Sequence, residues 1–144
     1  MTRVLIIDDE APIRLLCRVN LEAEGMEVIE SSDGTDGIEK ARQEQPDVIL
    51  LDVMMPRLNG WDVAEVLVSD ELTKQLPIIF LTARAEVRDR ARGLDIGGIE
   101  YITKPFNPLE LAPLIEALVE RIRRDGIDLL RSEKLAELRA LTRE

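Results

Sequence analysis

Residues 48–52 read Val-Ile-Leu-Leu-Asp, four aliphatic side chains in succession followed by a carboxylate. An apolar run of this length fits a strand that is buried on both faces, as in the parallel sheet of an α/β protein. Similar runs, most of them rich in β-branched residues, occur at Val4–Ile7, Met26–Ile29, Ile78–Leu81 and Ile99–Ile102. The sequence therefore predicts five strands in one parallel sheet.

Longer amphipathic stretches separate these runs and predict helices on both faces of the sheet. Pro12 suits the first turn of a helix that ends at Gly25, and further helices are predicted over residues 33–44, 61–72 and 86–96. In the middle of a helix, Pro113 would remove a hydrogen bond and clash with the preceding turn. The fifth helix is therefore predicted from near Ala112 to Arg124, after a separate turn at residues 107–111.

The dipeptide Asp125-Gly126 interrupts the fifth helix, and residues 127–144 form another helical stretch with five leucines. We therefore predict a domain over residues 1–124 and a C-terminal helical extension or linker over residues 125–144. The leucines permit pairing across a dimer, although they sustain no clean heptad over three repeats. The alternatives are a helix folded back on the domain or a frayed end.

The 144-residue chain carries 19 Lys plus Arg against 29 Asp plus Glu, a formal charge of −10, and no histidine. The missing histidine excludes Ser-His-Asp catalysis, histidine metal ligation and a phosphohistidine within this chain. The acidity argues against direct nucleic-acid binding, which needs clustered Lys and Arg. A single cysteine, Cys17, suits a reducing compartment, and no apolar stretch approaches the roughly 20 residues of a membrane span. We expect a cytoplasmic protein with no membrane partner.

Polar residues follow four of the predicted strands, and the carboxyl ends of parallel strands share the edge where α/β sheets bind ligands. These residues are Asp8, Asp9 and Glu10 after strand one, Asp52 after strand three, Thr82 after strand four and Lys104 after strand five. Any single aspartate at such a position can be a simple helix cap. The carboxylates of Asp8, Asp9 and Asp52 would repel one another at this edge, however, and the repulsion raises at least one pKa unless a cation neutralises them. The set favours Mg²⁺, which binds carboxylate and carbonyl oxygens and keeps several waters.

Lys104 and Thr82 add an ammonium donor and a hydroxyl donor to this edge. A cation and two donors around one aspartate match what is needed to hold the oxygens of a phosphoryl group. The residues at this edge therefore favour a carboxylate that accepts a phosphoryl group.

Over roughly residues 1–123 the sequence resembles the receiver domain of bacterial two-component response regulators. The likeness rests on four segments, Val4-Leu5-Ile6-Ile7-Asp8-Asp9-Glu10, Pro46-Asp47-Val48-Ile49-Leu50-Leu51-Asp52-Val53-Met54-Met55-Pro56 with Asn59-Gly60, Leu81-Thr82-Ala83, and Tyr101-Ile102-Thr103-Lys104-Pro105-Phe106. It implies a flavodoxin-like, doubly wound five-stranded parallel sheet of order 2-1-3-4-5. It also implies a phosphoprotein of phosphorelay signal transduction, which is not an enzyme but assists its own phosphorylation and dephosphorylation.

The resemblance assigns a role to each carboxylate at the sheet edge. Asp52 is implied to be the phosphoacceptor. Asp9 and Asp52 are implied to ligate Mg²⁺ directly, with the backbone carbonyl of Met54 as a third ligand and Asp8 acting largely through water.

The resemblance also assigns roles to the residues around these ligands. Thr82 and Lys104 would contact the phosphoryl oxygens. Tyr101 would be a switch aromatic that turns inward when the Thr82 hydroxyl moves toward the phosphate. Met54 and Arg84 occupy positions that tune the phosphoryl lifetime in the family.

A chain without histidine needs a donor, and the resemblance implies a phosphohistidine on a sensor histidine kinase or a phosphotransfer protein. The implied output is a surface of helix four, strand five and helix five, which family members use for phosphorylation-dependent homodimerisation or for docking a downstream partner. The chain is expected to act alone or as the N-terminal part of a protein with a fused output domain.

Two other functions fit parts of the pattern. A Mg²⁺-dependent aspartyl-phosphate phosphohydrolase also uses an aspartate after a strand, normally as Asp-x-Asp, but here Met54 stands two residues beyond Asp52. A flavodoxin-type cofactor binder would need a Ser/Thr/Gly-rich phosphate loop after strand one, where Asp8-Asp9-Glu10 would repel a phosphate.

Overall fold

The computed structural model describes residues 1–83 and 87–142, and this part of the chain contains five strands and six α-helices. The strands are β1 (Arg3–Ile7), β2 (Glu27–Ser31), β3 (Val48–Asp52), β4 (Ile78–Thr82) and β5 (Glu100–Thr103). The helices are α1 (Ala11–Ala23), α2 (Gly34–Glu44), α3 (Gly60–Ser69), α4 (Val87–Ile96), α5 (Leu111–Asp125) and α6 (Ile127–Thr142). Each strand begins and ends within two residues of its predicted limits. No helix in the described ranges is long and apolar enough to cross a membrane.

The strands form one sheet of order β2-β1-β3-β4-β5, and every neighbouring pair is parallel. This arrangement confirms the predicted fold class. The order reverses between β1 and β3, so the crevice that α/β sheets use for ligands lies at the carboxyl ends of these two strands.

Side chains that alternate along the strands fill two hydrophobic cores. The first core lies between the sheet and helices α1 and α5, with Leu50 and Ile115 fully buried in it. The second core lies between the sheet and helices α2 and α3, and it contains Phe80, Trp61 and Tyr101. A polar residue at a strand end therefore faces one of two helical layers, according to its position in the alternation.

Helix α3 ends at Ser69, so the predicted end at Leu72 is wrong. Asp70 leaves the helical conformation, with φ −96° and ψ 127°, and its side chain accepts a hydrogen bond from the backbone N–H of Leu72. Its carbonyl accepts hydrogen bonds from the N–H groups of Thr73 and Lys74. Residues 70–75 thus form a separate polar turn before β4.

The segment before α5 agrees with the prediction made from Pro113. A short 3₁₀ helix covers Pro108–Glu110, and α5 begins at Leu111. Pro113 lies in the first turn of α5, where its missing N–H has no helical acceptor to lose.

Helix α6 folds back on the domain, which is one of the alternatives that the leucine pattern permits. It packs against α4 and α5, and Ile127, Leu130 and Leu138 are buried. The division of the chain at residue 124 remains a prediction.

Candidate functional site

The predicted carboxylates meet at the carboxyl ends of β1 and β3. Asp52 is the last residue of β3, and Asp8 follows β1 directly. One ligand oxygen from each of Asp8, Asp9, Glu10 and Asp52 lies within 4.8 Å of the others. Asp8 and Asp52 are buried, whereas Asp9 and Glu10 are exposed. The cluster therefore has an inner pair of carboxylates and an outer pair that faces solvent.

Lys104 joins this cluster from the end of β5. Its Nζ lies 2.8 Å from Asp8 Oδ2, 3.4 Å from Glu10 Oε1 and 3.4 Å from Asp52 Oδ1. Asp8, Asp52 and Lys104 each lie two positions after an aliphatic residue of the first core, so strand alternation brings all three to the α1 and α5 side. The Lys104 N–H also donates to the Thr82 carbonyl at 2.7 Å, and the peptide bond from Lys104 to Pro105 is cis.

The Asp52 carboxyl is held in conditions that disfavour its charge. Burial and the neighbouring Asp8 carboxylate raise the pKa of Asp52 from 3.8 to about 7, while Lys104 and a backbone N–H oppose the rise. That N–H belongs to Met54 and donates to Oδ1 at 3.3 Å. The other oxygen, Oδ2, is buried and accepts no hydrogen bond from the described residues. Asp52 thus presents a buried carboxylate oxygen without a donor.

The Lys104 ammonium remains charged in spite of partial burial. Burial alone would lower its pKa, but Asp8, Asp52 and Glu10 together raise it above its ordinary value of 10.5. Among the described residues, the Lys104 ammonium therefore faces a cluster of four carboxyl groups. This excess of carboxylates favours a further cation.

The donor set fits Mg²⁺. All the candidate side-chain ligands are carboxylate oxygens, which this hard ion prefers, and the exposed Asp9 and Glu10 leave room for the waters that it retains. Asp52 Oδ2, which accepts no hydrogen bond from the described residues, is an oxygen that a bound cation would satisfy. Met54 is 53% exposed, and its backbone is held next to Asp52 by the 3.3 Å hydrogen bond from its N–H to Oδ1.

Thr82 lies at the same edge but points toward the other helical layer. It is fully buried, and it follows Phe80 of the second core by two positions. Tyr101 is the β5 partner of Phe80 in the sheet, and the two ring centroids are 6.5 Å apart. The predicted switch residues therefore share the face that carries the aromatic core, opposite the side occupied by Lys104.

Arg84, predicted to tune the phosphoryl lifetime, lies outside the described residues. Glu10 has a contact with Lys104 that gives it a place in the site, although the sequence assigned it no role. The signal was available in the unbroken acidic run after β1, where only the two aspartates were interpreted.

The family whose sequence model matches residues 4–116 is described as "Response regulator receiver domain". Among curated relatives, the phosphate regulon transcriptional regulatory protein PhoB of Klebsiella pneumoniae is 41% identical over 120 residues, 83% of this chain and 52% of its own. The alkaline phosphatase synthesis transcriptional regulatory protein PhoP of Bacillus subtilis is 42% identical over 119 residues, 83% of this chain and 49% of its own. The chain spans about half the length of these curated relatives.

Solved structures agree with these relatives. The chemotaxis protein CheY4 of Vibrio cholerae is 31% identical with a TM-score of 0.77, over 81% of this chain and 98% of that one. A CheY-like receiver domain protein from Methanospirillum hungatei is 28% identical with a TM-score of 0.81, over 88% and 99%. None of these matches favours the phosphohydrolase alternative.

Proposed function

The chain belongs to the response regulator receiver domain family, whose role is phosphoacceptor signalling, and from this membership we propose that Asp52 is the acceptor. The observation that supports Asp52 most directly is its buried Oδ2, which accepts no hydrogen bond from the described residues. A nucleophilic oxygen must be free to reach the phosphorus, and a carboxylate whose two oxygens both accept hydrogen bonds is less able to do so.

In the proposed reaction a carboxylate oxygen of Asp52 attacks the phosphorus of a phosphohistidine on a partner protein. An O–P bond forms on Asp52 while the N–P bond to the imidazole breaks, and the imidazole leaves with the bonding pair. Lys104, whose Nζ is 3.4 Å from Asp52 Oδ1, is the positive group that neutralises charge on the transferred oxygens.

We propose that Asp9 and Asp52 hold Mg²⁺ with the carbonyl of Met54, and that Asp8 acts through water. When bound, Mg²⁺ supplies positive charge that offsets the phosphoryl oxygens beside four carboxyl groups. Asp8 keeps Lys104 at the site through the 2.8 Å ion pair. The chain thereby assists its own phosphorylation and dephosphorylation without being an enzyme.

The proposed switch runs from Thr82 to the second core. A phosphoryl group adds about −1.5 to −2 charges and three acceptor oxygens, which attract hydroxyl and amide donors. Movement of Thr82 toward these acceptors changes the packing of Phe80, Tyr101 and α4, because all three lie on the same face of the sheet. The output is a population shift at the surface of α4, β5 and α5.

The partners are part of the proposal. The donor is a sensor histidine kinase or a phosphotransfer protein, and the recipient of the signal is a downstream partner, a fused output domain or a second copy of this chain. The named relatives are transcriptional regulators, and the match covers about half of their length, which supports an output domain fused to this type of receiver. We also infer a cytoplasmic location, which the family membership supports.

The test is intact-mass measurement after incubation with Mg²⁺ and acetyl phosphate. We expect a labile gain of one phosphoryl group in the wild type and none in Asp52→Asn. The matched control is Asp33→Asn at the same edge of the sheet, because asparagine retains the N-cap hydrogen bond that Asp33 makes to α2. Equal phosphorylation of Asp52→Asn and the wild type would refute Asp52 as the acceptor.

A further inference from the structure

Helix α6 lies across the end of the sheet where β5 begins. Ile127 and Leu130 extend the first core from the end of α5, and Leu138 is buried further along the helix. The helix contacts both α4 and α5, which lie on opposite faces of the sheet. It therefore covers part of the α4–β5–α5 surface, the region proposed above for output.

Arg131 is the central polar contact of α6. Its Nε donates to the Gly97 carbonyl at 2.8 Å, and its Nη2 donates to the Lys74 carbonyl at 2.9 Å. Gly97 lies in the turn between α4 and β5, whereas Lys74 lies in the turn between α3 and β4. A planar guanidinium holds two acceptors in a fixed geometry, so both bonds form only while the two turns keep their present separation.

A second contact fixes α6 to the start of β5. Lys134 Nζ lies 3.2 Å from Glu100 Oε2, and both side chains are about three-quarters buried. Arg139 and Asp95 form a further pair at 3.9 Å, but both are largely exposed and contribute little. We call Arg131 and Lys134, with the groups that they contact, the α6 clamp.

The position of α4 is tied to the phosphorylation site through Phe80. A Cβ atom at Gly93 of α4 would lie 2.9 Å from the Phe80 ring, and one at Gly98 would lie 2.5 Å from it. This close packing means that Phe80 and α4 move together. Phe80 precedes Thr82 by two residues on the same face of β4.

We propose that α6 is a built-in clamp that opposes phosphorylation at Asp52 by holding α4 in its present position. The inference rests on the proposed function, because it requires phosphorylation to displace α4. Displacement changes the separation of the Gly97 and Lys74 carbonyls, so Arg131 loses at least one of its two hydrogen bonds. The two effects are thermodynamically linked. If α6 stabilises the present position of α4 and phosphorylation stabilises a different one, α6 disfavours phosphorylation by the same factor by which phosphorylation disfavours the packing of α6.

The test compares Arg131→Met in the full chain with the control Arg123→Met, an α5 side chain that is 62% exposed. Hydrogen exchange of the α6 amides should be about tenfold faster in Arg131→Met, since hydrogen bonds from a charged group are lost. The fraction phosphorylated by limiting acetyl phosphate should rise several-fold, about three- to tenfold, with Arg123→Met matching the wild type.

Exchanging the charges of Lys134 and Glu100 gives an independent test that leaves Arg131 unchanged. Lys134→Glu should speed exchange and raise phosphorylation, and adding Glu100→Lys should restore both values. Unchanged exchange in Arg131→Met and Lys134→Glu would overturn the clamp. Faster exchange with unchanged phosphorylation would overturn the coupling and leave the proposed function standing. A wild type that takes up no phosphoryl group would overturn the proposed function and the coupling together, while exchange alone would then decide the clamp.

Discussion

At the scale of single residues, the two inner aspartates have unequal surroundings. Asp8 has an ammonium partner at 2.8 Å, and the nearest ammonium to Asp52 is 3.4 Å away. Lys104 therefore interacts more strongly with Asp8 than with Asp52, and the pKa of Asp52 stays raised at about 7. This asymmetry makes Asp52 the carboxyl group of the pair that gains most from a new cation.

The raised pKa predicts how Asp52→Asn changes stability with pH. The pKa of the Asp52 carboxyl is about 7 in the folded protein and 3.8 in the unfolded chain, so its protonated form favours folding. This contribution to stability is fully present below about pH 4 and is lost as the pH rises through 7. Asparagine bears no such cost, so Asp52→Asn should unfold at higher urea than the wild type at pH 8 without Mg²⁺, and the difference should shrink toward pH 5. The rise in pKa, at about 1.4 kcal/mol per pH unit, bounds the gain at about 4 kcal/mol.

The control for this prediction is Asp33→Asn, an exposed N-cap whose hydrogen bond asparagine retains, so its urea midpoint at pH 8 should stay close to that of the wild type. Identical urea midpoints for Asp52→Asn and the wild type at both pH values would mean that the carboxyl is not strained when ionised. Mg²⁺ should reduce the gain at pH 8, since bound cations stabilise the wild-type fold by mass action.

The sequence predicted which side chains converge at this edge but not how they pair. Apolar runs mark where the strands end. Because the strands are parallel, their carboxyl ends share one edge of the sheet, which brings Asp8, Asp52 and Lys104 together. Pro12 indicated the start of α1, but the Lys104 contact with Glu10 also depends on the path of residues 8–10 and on two side-chain conformations, which residue types do not specify. The free oxygen of Asp52 likewise depends on local backbone geometry.

At the scale of elements, the packing of α4 on Phe80 requires small residues. Gly93 is in the interior of α4, where an exposed Gly→Ala change normally stabilises a helix by about 1 kcal/mol. Here a Cβ would lie 2.9 Å from Phe80 and 3.1 Å from Trp61. The clash reverses the usual sign, because neither ring lies at the end of a flexible chain.

We therefore expect Gly93→Ala to lower the free energy of unfolding by about 1–3 kcal/mol, as overpacking does. Urea unfolding of Gly93→Ala, Phe80→Leu and the double variant measures the effect. The cost of Gly93→Ala should fall when Phe80→Leu is already present, because the smaller side chain makes room. A gain in stability from Gly93→Ala alone would contradict the close approach of α4.

Element boundaries were predicted best where one residue imposes a covalent constraint. Pro113 correctly indicated a break before α5, since proline cannot donate in the helix interior. Nothing comparable marks the end of α3, where Asp70 makes side-chain and backbone hydrogen bonds that favour a turn over another helical turn. Competition of this kind is settled by local geometry rather than by propensity.

At the scale of the whole molecule, the proposed chemistry and the proposed conformational response lie on opposite faces of the sheet. Asp8, Asp52 and Lys104 stand on the side of the first core, where chemistry is proposed, and Thr82 and Tyr101 stand on the side of the second core, where the response is proposed. Helix α6 touches both sides, because it begins in the first core beside α5 and continues along α4. The sequence offered the folded-back helix as one alternative but could not select it, since the leucine spacing does not specify which partner covers them.

Removing residues 127–144 tests whether α6 is an extension or a structural part of the fold. Leu130 is fully buried and Ile127 and Leu138 nearly so, and each large aliphatic side chain contributes about 1.5–3 kcal/mol when buried. We expect the truncated chain to lose at least about 2 kcal/mol of unfolding free energy in urea, because the first core is left open beside α5. Removing only residues 140–144 keeps all three buried side chains and should change little. Equal stability of the full and truncated chains would instead support a domain that ends at residue 124, with α6 resting on a surface that does not need it.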